Sequence, residues 1–280
     1  MLSHYPHTLN CKGRLISLET PKIMGILNVT PDSFYDGGRY QKPGEILRQT
    51  EKMLMEGATF IDVGAYSSRP GAAHVPEQEE ETRILPIVEL LLTEFPEALL
   101  SIDTFRSSIA RSCVSSGAAL INDISAGMQD PQMMKVVGEL GVPYIMMHMR
   151  GTPQTMSGLT DYEDLIKEIV YYFSEKIAQG RAAGINDMVL DPGFGFAKNL
   201  EQNYQLLKNL NLLKILEYPL LIGLSRKSMI YKLLEQSPEE ALNGTTALHM
   251  YGLLKGANIL RVHDVKEAME CVRLHTQLSQ

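Results

Sequence analysis

The sequence predicts an α/β fold, a (β/α)8 TIM barrel that forms a single domain. Short apolar runs recur eight times along the chain, and stretches with the apolar spacing of amphipathic helices lie between them. The runs do not alternate apolar with polar residues, which is typical of strands buried on both faces of a parallel sheet. Eight strand–helix units fit the 280 residues, since α/β barrels use about 250 residues as one unit. A doubly wound open sheet stays the alternative, because counting strands does not show that the sheet closes.

The predicted strands and helices alternate after a short N-terminal segment. We expect residues 1–21 to cover the bottom of a barrel formed by residues 22–280. The predicted strands are residues 23–29, 60–63, 99–102, 119–121, 144–147, 188–190, 220–224 and 258–262. The clearest helical patterns are residues 45–56, 77–94, 107–116, 161–183, 200–216 and 238–255.

Composition and charge exclude several kinds of partner. The chain has 26 Lys and Arg against 33 Asp and Glu, a net charge of −7, which argues against a nucleic-acid-binding surface and a polybasic membrane anchor. Cys11, Cys113 and Cys271 form no CxxC motif, so neither a disulfide framework nor a zinc site is predicted. Reduced thiols favour a cytoplasmic protein, and we expect no signal peptide and no membrane-spanning segment.

Polar residues lie at or just after the ends of the predicted strands. In a parallel barrel these ends share one rim, which is where barrel active sites lie. A single polar residue there commonly belongs to a turn or caps a helix. Capping alone does not explain polar residues at the ends of all eight strands on one rim. They are Asn28, Asp62, Asp103, Asn122 with Asp123, His148, Asp191, Lys227, and Arg261 with His263.

Two groups of these residues indicate a bound heterocycle with a phosphorylated leaving group. Asp103, Asn122 and Asp191 offer acceptors to the N–H and amino edge of a flat ring, and Lys227 offers a donor to a ring carbonyl. A separate cationic group suits phosphate or pyrophosphate, and beside it a neutral amide oxygen suits Mg²⁺. The cations are Arg69, Arg261 and His263, and the amide is Asn28.

Seven motifs resemble the dihydropteroate synthase family of pterin-binding barrels and occur in the family's order. They are MGILNVTPDSF with DGG (residues 24–34 and 36–38), SSRPG (67–71), SIDT (101–104), IND (121–123), DPGFGF (191–196), SRKS (225–228) and RVHD (261–264). The resemblance extends from about residue 10 to about residue 273. One departure is Tyr66, which stands where the family usually has Glu, so any charge role of that Glu is in doubt here.

The resemblance implies a transferase of folate biosynthesis. The family joins 6-hydroxymethyl-7,8-dihydropterin pyrophosphate to p-aminobenzoate, giving 7,8-dihydropteroate and pyrophosphate, and it is the target of sulfonamides. The resemblance also implies Mg²⁺ as a cofactor, a dissociative, SN1-like reaction step, and a homodimer formed through helices on the barrel exterior. Residues 31–38 and 67–73 are rich in Gly, Pro and Ser, and we expect them to close over the bound pyrophosphate.

The site residues that the resemblance implies fall into four sets. The pterin set is Asp103, Asn122, Met147, Asp191, Lys227 and Arg261. The pyrophosphate set is Asn28, Arg69, Arg261 and His263, with Asn28 as the metal ligand. The p-aminobenzoate set is Phe34, Ser68, Arg69, Pro70, Phe196, Lys227 and Ser228. The catalytic set is Asp103, Lys227, Arg261 and His263.

Two other functions are compatible with a pterin-binding barrel. A methyltransferase that binds methyltetrahydrofolate needs the pterin carboxylates and amide but no pyrophosphate group, so Arg69, Arg261 and His263 argue against it. A non-catalytic homologue is the other possibility, and the loss of Asp103, Lys227 or Arg261 would indicate it; all are present.

Overall fold

Eight parallel strands form one closed sheet within residues 7–29, 43–66 and 75–279, which the computed structural model describes. After β1 (Thr8–Cys11) and β2 (Arg14–Ser17) come the barrel strands β3 (Lys22–Asn28), β4 (Phe60–Gly64), β5 (Leu99–Asp103), β6 (Leu120–Asp123), β7 (Tyr144–Met147), β8 (Met188–Asp191), β9 (Leu221–Ile222) and β10 (Ile259–Val262). The sheet order is β8-β7-β6-β5-β4-β3-β10-β9, and a parallel bridge between Leu190 and Leu220 joins its two ends. This arrangement confirms the (β/α)8 TIM barrel, and the open doubly wound sheet is wrong.

The N-terminal hairpin of β1 and β2 packs against the start of the barrel strands. Lys12 and Gly13 turn the chain with φ values of +56° and +80°, which matches the two-residue turns preferred in hairpins. The hairpin residues Leu9, Cys11 and Ile16 share one buried cluster with the first inward-facing residues of the strands. Those strand residues are Met24, Phe60, Leu99, Leu120, Ile145, Val189, Leu221 and Ile259. Apolar packing therefore fills the lower end of the barrel and leaves the polar residues to the other rim.

Helices lie between the strands and cover the outside of the sheet. They are α1 (Pro43–Met55), α2 (Glu77–Glu94), α3 (Ser107–Ser115), α4 (Met133–Leu140), α5 (Leu165–Ala182), α6 (Leu200–Lys208), α7 (Ser228–Tyr231), α8 (Leu242–Leu254) and α9 (Val265–Leu278), with 3-10 turns at Met156–Gly158 and Leu210–Leu216. Helix α2 has the predicted bounds, whereas α4, α7 and α9 lie outside the predicted patterns. No helix in the described part of the chain is long and apolar enough to span a bilayer.

The predicted helix 200–216 is divided into α6 and a 3-10 turn at Asn209. The Asn209 side chain donates to the carbonyl of Gln205 at 2.9 Å. Such local side-chain bonds to the backbone compete with regular helix geometry. The apolar spacing alone did not predict this break.

His249 is a buried histidine on α8 without hydrogen-bond partners. It is 1% exposed, and neither ring nitrogen meets a partner among the described residues. Burial lowers the pKa of His249 from 6.5 to about 4. The unfolded chain therefore takes up this proton first as the pH falls, which favours unfolding.

We expect His249 to make the protein sensitive to acid. Between about pH 6.5 and about pH 4 the free energy of unfolding should fall by on the order of 3 kcal/mol through this residue. His249→Leu removes the titrating ring, so its stability should fall less over the same range. Urea denaturation of both proteins at about pH 7 and about pH 4.5 measures the difference. Equal losses in the two proteins would show that His249 does not titrate in this way.

Candidate active site

The carboxyl ends of the barrel strands bring the polar residues predicted from the sequence to one rim. Asn28, Asp103 and Asp191 are the last residues of β3, β5 and β8. Asn122 lies next to Asp103 in the register of β5 and β6. Arg261 lies on β10, which pairs with β3 across the closed sheet. The barrel therefore places acceptors, an amide and a cation around one opening, as barrel enzymes do.

Arg261 joins two carboxylates at the centre of this rim. Its Nε donates to Asp62 Oδ2 at 2.6 Å, and its Nη2 donates to Asp103 Oδ2 at 2.7 Å. Asn122 Nδ2 donates to the same Asp62 oxygen at 3.0 Å. Asp62 is wholly buried, so its charge depends on these donors. It belongs to none of the predicted site sets, although a carboxylate inside the apolar run FIDVG is a signal that a buried partner exists.

Asp103 and Asp191 are carboxylates in surroundings that disfavour their charge. Burial raises the pKa of Asp103 to about 7, Arg261 lowers it, and the nearby Asp62 raises it again. Burial also raises the pKa of Asp191, while Lys227 lowers it. Each carboxylate therefore gains from a ligand that supplies hydrogen-bond donors.

Lys227 lies beside the loop that follows β8. Its Nζ donates to the carbonyl of Phe194 and lies 4.6 Å from the centre of the Phe196 ring. Burial lowers the pKa of Lys227 to about 8, while Asp191 raises it. The ammonium is therefore charged at neutral pH and close to losing its proton. Phe196 and Lys227, both predicted for the p-aminobenzoate region, are brought together.

Met147 and Tyr66 share an apolar cluster at the same rim. The cluster contains Tyr66, Phe105, Ile124, Met147, Met149, Met156 and Ala197, with Val75 and Phe196 packed against it. Tyr66 meets Phe105 edge to face with ring centres 5.0 Å apart, and the Arg106 guanidinium lies 5.5 Å from its ring centre. Tyr66 thus fills the place of the family's usual Glu with apolar packing rather than charge.

His263 and Ser228 lie close to the end of β10 and the start of α7. His263 is exposed, and its Nδ1 lies 3.0 Å from Ser225 Oγ. Arg226 does not face this region, since it forms a two-bond ion pair with Asp264 at 2.8 and 2.9 Å. Ser228 is the first residue of α7 and is half-buried. Of the predicted cations for pyrophosphate, Arg261 and His263 are therefore placed near one another along one strand end.

Asp123 has a structural role among the strand-end residues. It accepts hydrogen bonds from Tyr144 Oη at 2.6 Å and from the backbone N–H groups of Ser125 and Gly127 at 2.7 Å each. These bonds hold the turn after β6. The remaining predicted site residues, Phe34, Ser68, Arg69 and Pro70, and both predicted closing loops lie outside the described residues.

Comparison with known proteins identifies the kind of enzyme that this rim belongs to. The sequence model of the family described as "Pterin binding enzyme" matches residues 24–263. Over 268 residues the chain is 44% identical to the dihydropteroate synthase of Escherichia coli (strain K12), covering 95% of this chain and 94% of that protein.

Two solved structures show that the similarity extends to the fold. The Yersinia pestis dihydropteroate synthase with a sulfonamide drug complex has a TM-score of 0.92 and 43% identity, covering 98% of this chain and 99% of that one. The Xanthomonas albilineans dihydropteroate synthase with 4-aminobenzoic acid has a TM-score of 0.90 and 37% identity, with the same coverage. The chain therefore belongs to the family of pterin-binding barrel enzymes. Within that family it falls among the dihydropteroate synthases, as its seven motifs indicate.

Proposed function

We propose that this chain joins 6-hydroxymethyl-7,8-dihydropterin pyrophosphate to p-aminobenzoate, releasing pyrophosphate and forming 7,8-dihydropteroate. The observation that carries the proposal is the set of Asp103, Asn122, Asp191, Lys227 and Arg261 around one barrel opening. Its likeness to dihydropteroate synthases, including one solved with 4-aminobenzoic acid, supports the same reaction.

The buried carboxylates select a ring that donates hydrogen bonds. A pterin presents N–H and amino donors along one edge, which suit Asp191 and the side-chain oxygen of Asn122. Its ring carbonyl suits Lys227, whose ammonium has only donors to offer. Burial raises the pKa of Asp103 and Asp191 because it takes water away from their carboxylates. Binding of the ring thereby supplies hydrogen-bond donors that replace this water.

Departure of pyrophosphate requires positive charge at its oxygens. The carbon–oxygen bond to the pterin methylene breaks, and its electron pair stays on the leaving pyrophosphate. Arg261 and His263 lie on the strand end nearest to that group, and Arg69 is proposed to join them. Preorganised cations of this kind commonly supply a large share of a rate enhancement.

The metal ligands available at this rim suit a Mg²⁺ ion that is held mainly by the substrate. No group of three or more His, Cys, Asp or Glu residues in the described part of the chain is arranged to hold a metal. Mg²⁺ usually binds substrate phosphates with few protein ligands, so the Asn28 side-chain oxygen at the end of β3 suffices as a protein ligand. When bound, the ion would neutralise charge on the leaving pyrophosphate.

The carbon–nitrogen bond forms after a dissociative step. Loss of pyrophosphate leaves a cationic pterin methylene, and the Asp103 carboxylate, held by Arg261 at 2.7 Å, stabilises positive charge on the ring. The amine of p-aminobenzoate attacks the methylene with its lone pair and then releases a proton to water. An arylamine is nucleophilic without activation, so no Ser or Cys nucleophile is needed.

One assay tests this function. Purified protein is incubated with dihydropterin pyrophosphate, Mg²⁺ and p-aminobenzoate, and we expect dihydropteroate and pyrophosphate in equal amounts. Omission of p-aminobenzoate is the control, and a folded protein that forms no product would refute the function. Substrate that starts with ¹⁸O in its bridging position and is recovered from that control should show isotope scrambling. Unscrambled substrate, recovered from enzyme that forms product when p-aminobenzoate is added, would refute the dissociative step.

We also propose that the enzyme is a cytoplasmic homodimer that buries the outer faces of α8 and α9. These helices pack together and expose Tyr251, Leu254, Leu274 and Leu278, the last at 73%. Exposed apolar groups that lie together commonly mark contact sites. We expect sedimentation velocity to show twice the 31.2 kDa chain mass, and Leu274→Glu with Leu278→Glu to shift it to the monomer. A wild-type monomer at micromolar concentration would refute the dimer.

A further inference from the structure

Lys198 is a buried lysine behind the active-site rim that the proposed reaction does not use. It lies between β8 and α6, is 8% exposed, and forms no ion pair within the described residues. Its Nζ contacts the carbonyl oxygens of Gly193 at 3.0 Å and Phe196 at 2.9 Å, and His148 Nδ1 at 3.0 Å. An ammonium has three donors, so all three are used.

His148 completes this arrangement as a neutral acceptor. Burial lowers the pKa of His148 well below its usual value, and the charge on Lys198 lowers it further. Burial lowers the pKa of Lys198 to about 7. In its charged form, which is favoured below that pH, Lys198 only donates, so Nδ1 accepts and the ring proton lies on Nε2. The His148 ring packs edge to face on Tyr172 with ring centres 4.8 Å apart. The backbone N–H of His148 donates to the backbone carbonyl of Asp191 at 2.8 Å. Lys198 is thus attached to a rigid part of the barrel.

The segment that Lys198 holds, residues 192–199 and here called the β8–α6 loop, has an unusual backbone. Gly193, Gly195 and Ala197 have φ values of +70°, +80° and +48°. A Cβ at Gly193 would lie 2.1 Å from the carbonyl oxygen of His148. Glycine adopts positive φ readily, so the strained residue is Ala197, and a non-glycine residue keeps this conformation only where surrounding bonds over-determine it. Asn203 supplies one such bond from α6, accepting from Gly195 N–H at 2.7 Å.

Two lysines hold the same loop on different carbonyl groups. Lys227, on the rim, donates to Phe194 and lies against the Phe196 ring. Lys198 donates to the neighbouring carbonyls of Gly193 and Phe196. The position of Phe196 beside Lys227 therefore depends on a second, almost buried lysine that lies behind the rim.

We propose that Lys198 is a positioning residue that fixes the β8–α6 loop, so that Phe196 and Lys227 form the side of the site that receives the amine substrate. This rests on the proposed function for the identity of that substrate. Asp103 and Asn122 of the pterin set lie on β5 and β6, whereas Asp191, which accepts from the Gly193 N–H at 2.8 Å, and Lys227 contact the loop. Because only part of the pterin set contacts the loop, we expect loss of Lys198 to affect the amine substrate more than the pterin.

Lys198→Met tests the proposal because it keeps a side chain of similar length and removes the hydrogen-bond donors. We expect KM for p-aminobenzoate to rise about tenfold or more, while KM for the pterin substrate stays within about twofold. Lys22→Met, which removes a half-buried lysine at the start of β3, at the opposite end of the barrel, is the matched control and should change neither value. Equal increases in both KM values, or no increase in either, would overturn the proposal.

A second pair of variants covers the case in which Lys198→Met does not fold. Asparagine at position 148 keeps an acceptor near Nδ1 and leucine removes it, so His148→Asn should retain more affinity for p-aminobenzoate than His148→Leu. Hydrogen exchange should rise within residues 192–199 in His148→Leu and not in His148→Asn. This readout needs no activity, so it separates the positioning role from the proposed reaction. Unchanged exchange in His148→Leu would overturn the proposal.

Discussion

Arg261→Met is expected to lower kcat/KM by about 10³-fold, because it removes the cation proposed to face the leaving pyrophosphate, which also holds the Asp103 carboxylate. It should also destabilise the fold, which the sequence alone does not predict. The side chain bridges Asp62 and Asp103, and removing one partner of a buried ion pair costs about 3–5 kcal/mol. Steady-state kinetics and urea denaturation measure the two effects separately.

The stability loss in Arg261→Met should depend on pH in a defined direction. Without Arg261, Asp103 lies beside Asp62 without the cation that lowers its pKa, so the pKa of Asp103 rises further above its unfolded value. Protonation of Asp103 then relieves the repulsion, so the stability difference from the wild type should shrink as the pH falls from about 8 to about 5. Arg261→Lys keeps one charge without the two-pronged geometry, and we expect an intermediate loss of activity. A constant stability difference across this range would show that the carboxylates are not coupled through Arg261.

The barrel and most of its rim are predictable because their signals are local. An apolar run of strand length followed by Asp103 or Asp191 identifies both a buried strand and its polar end. The parallel topology then brings these ends together without knowledge of any long-range contact. Residue type already indicates an acceptor at Asn122 and a donor at Lys227, whereas the family motifs are needed to add Met147 to the expected pterin set.

The contacts that organise the rim are not predictable from the same signals. Asp62 and Arg261 are 199 residues apart in sequence, and β4 and β10 lie near each other because both pair with β3 in the folded sheet. Lys198 follows the DPGFGF motif as an ordinary polar residue, and its burial depends on His148, 50 positions away. Contacts of this kind form only in the tertiary structure. They join residues far apart in the sequence, so no local sequence pattern predicts them.

Charge at the rim follows one physical rule. Burial raises the pKa of Asp103 and Asp191 and lowers the pKa of Lys227, so it disfavours the charge of each of these three groups. Arg261 stays charged in any case and holds the site together before substrate arrives. Ligand binding is thus expected to complete the pairs that the free protein leaves partial.

Lys227→Met is expected to lower kcat/KM by about 10²-fold to 10³-fold, because the ammonium is the proposed donor to the pterin carbonyl and lies against Phe196. The change should cost little stability. Within the described residues Lys227 has one hydrogen bond to a protein group, the Phe194 carbonyl, and burial opposes its charge. Equal losses of activity and stability would show that the residue is structural.

The pH profile distinguishes loss of this cation from a general disturbance of the site. The pKa of Lys227 is lowered to about 8, so the free enzyme loses this proton as the pH rises through that value. In the wild type, kcat/KM should therefore fall above about pH 8, since this parameter reports groups of the free enzyme. Lys227→Met should keep its residual activity across the same range, because the group that titrates is gone. A wild-type profile that stays flat above about pH 8 while the variant is strongly impaired would show that Lys227 acts through packing against Phe196 rather than through its charge.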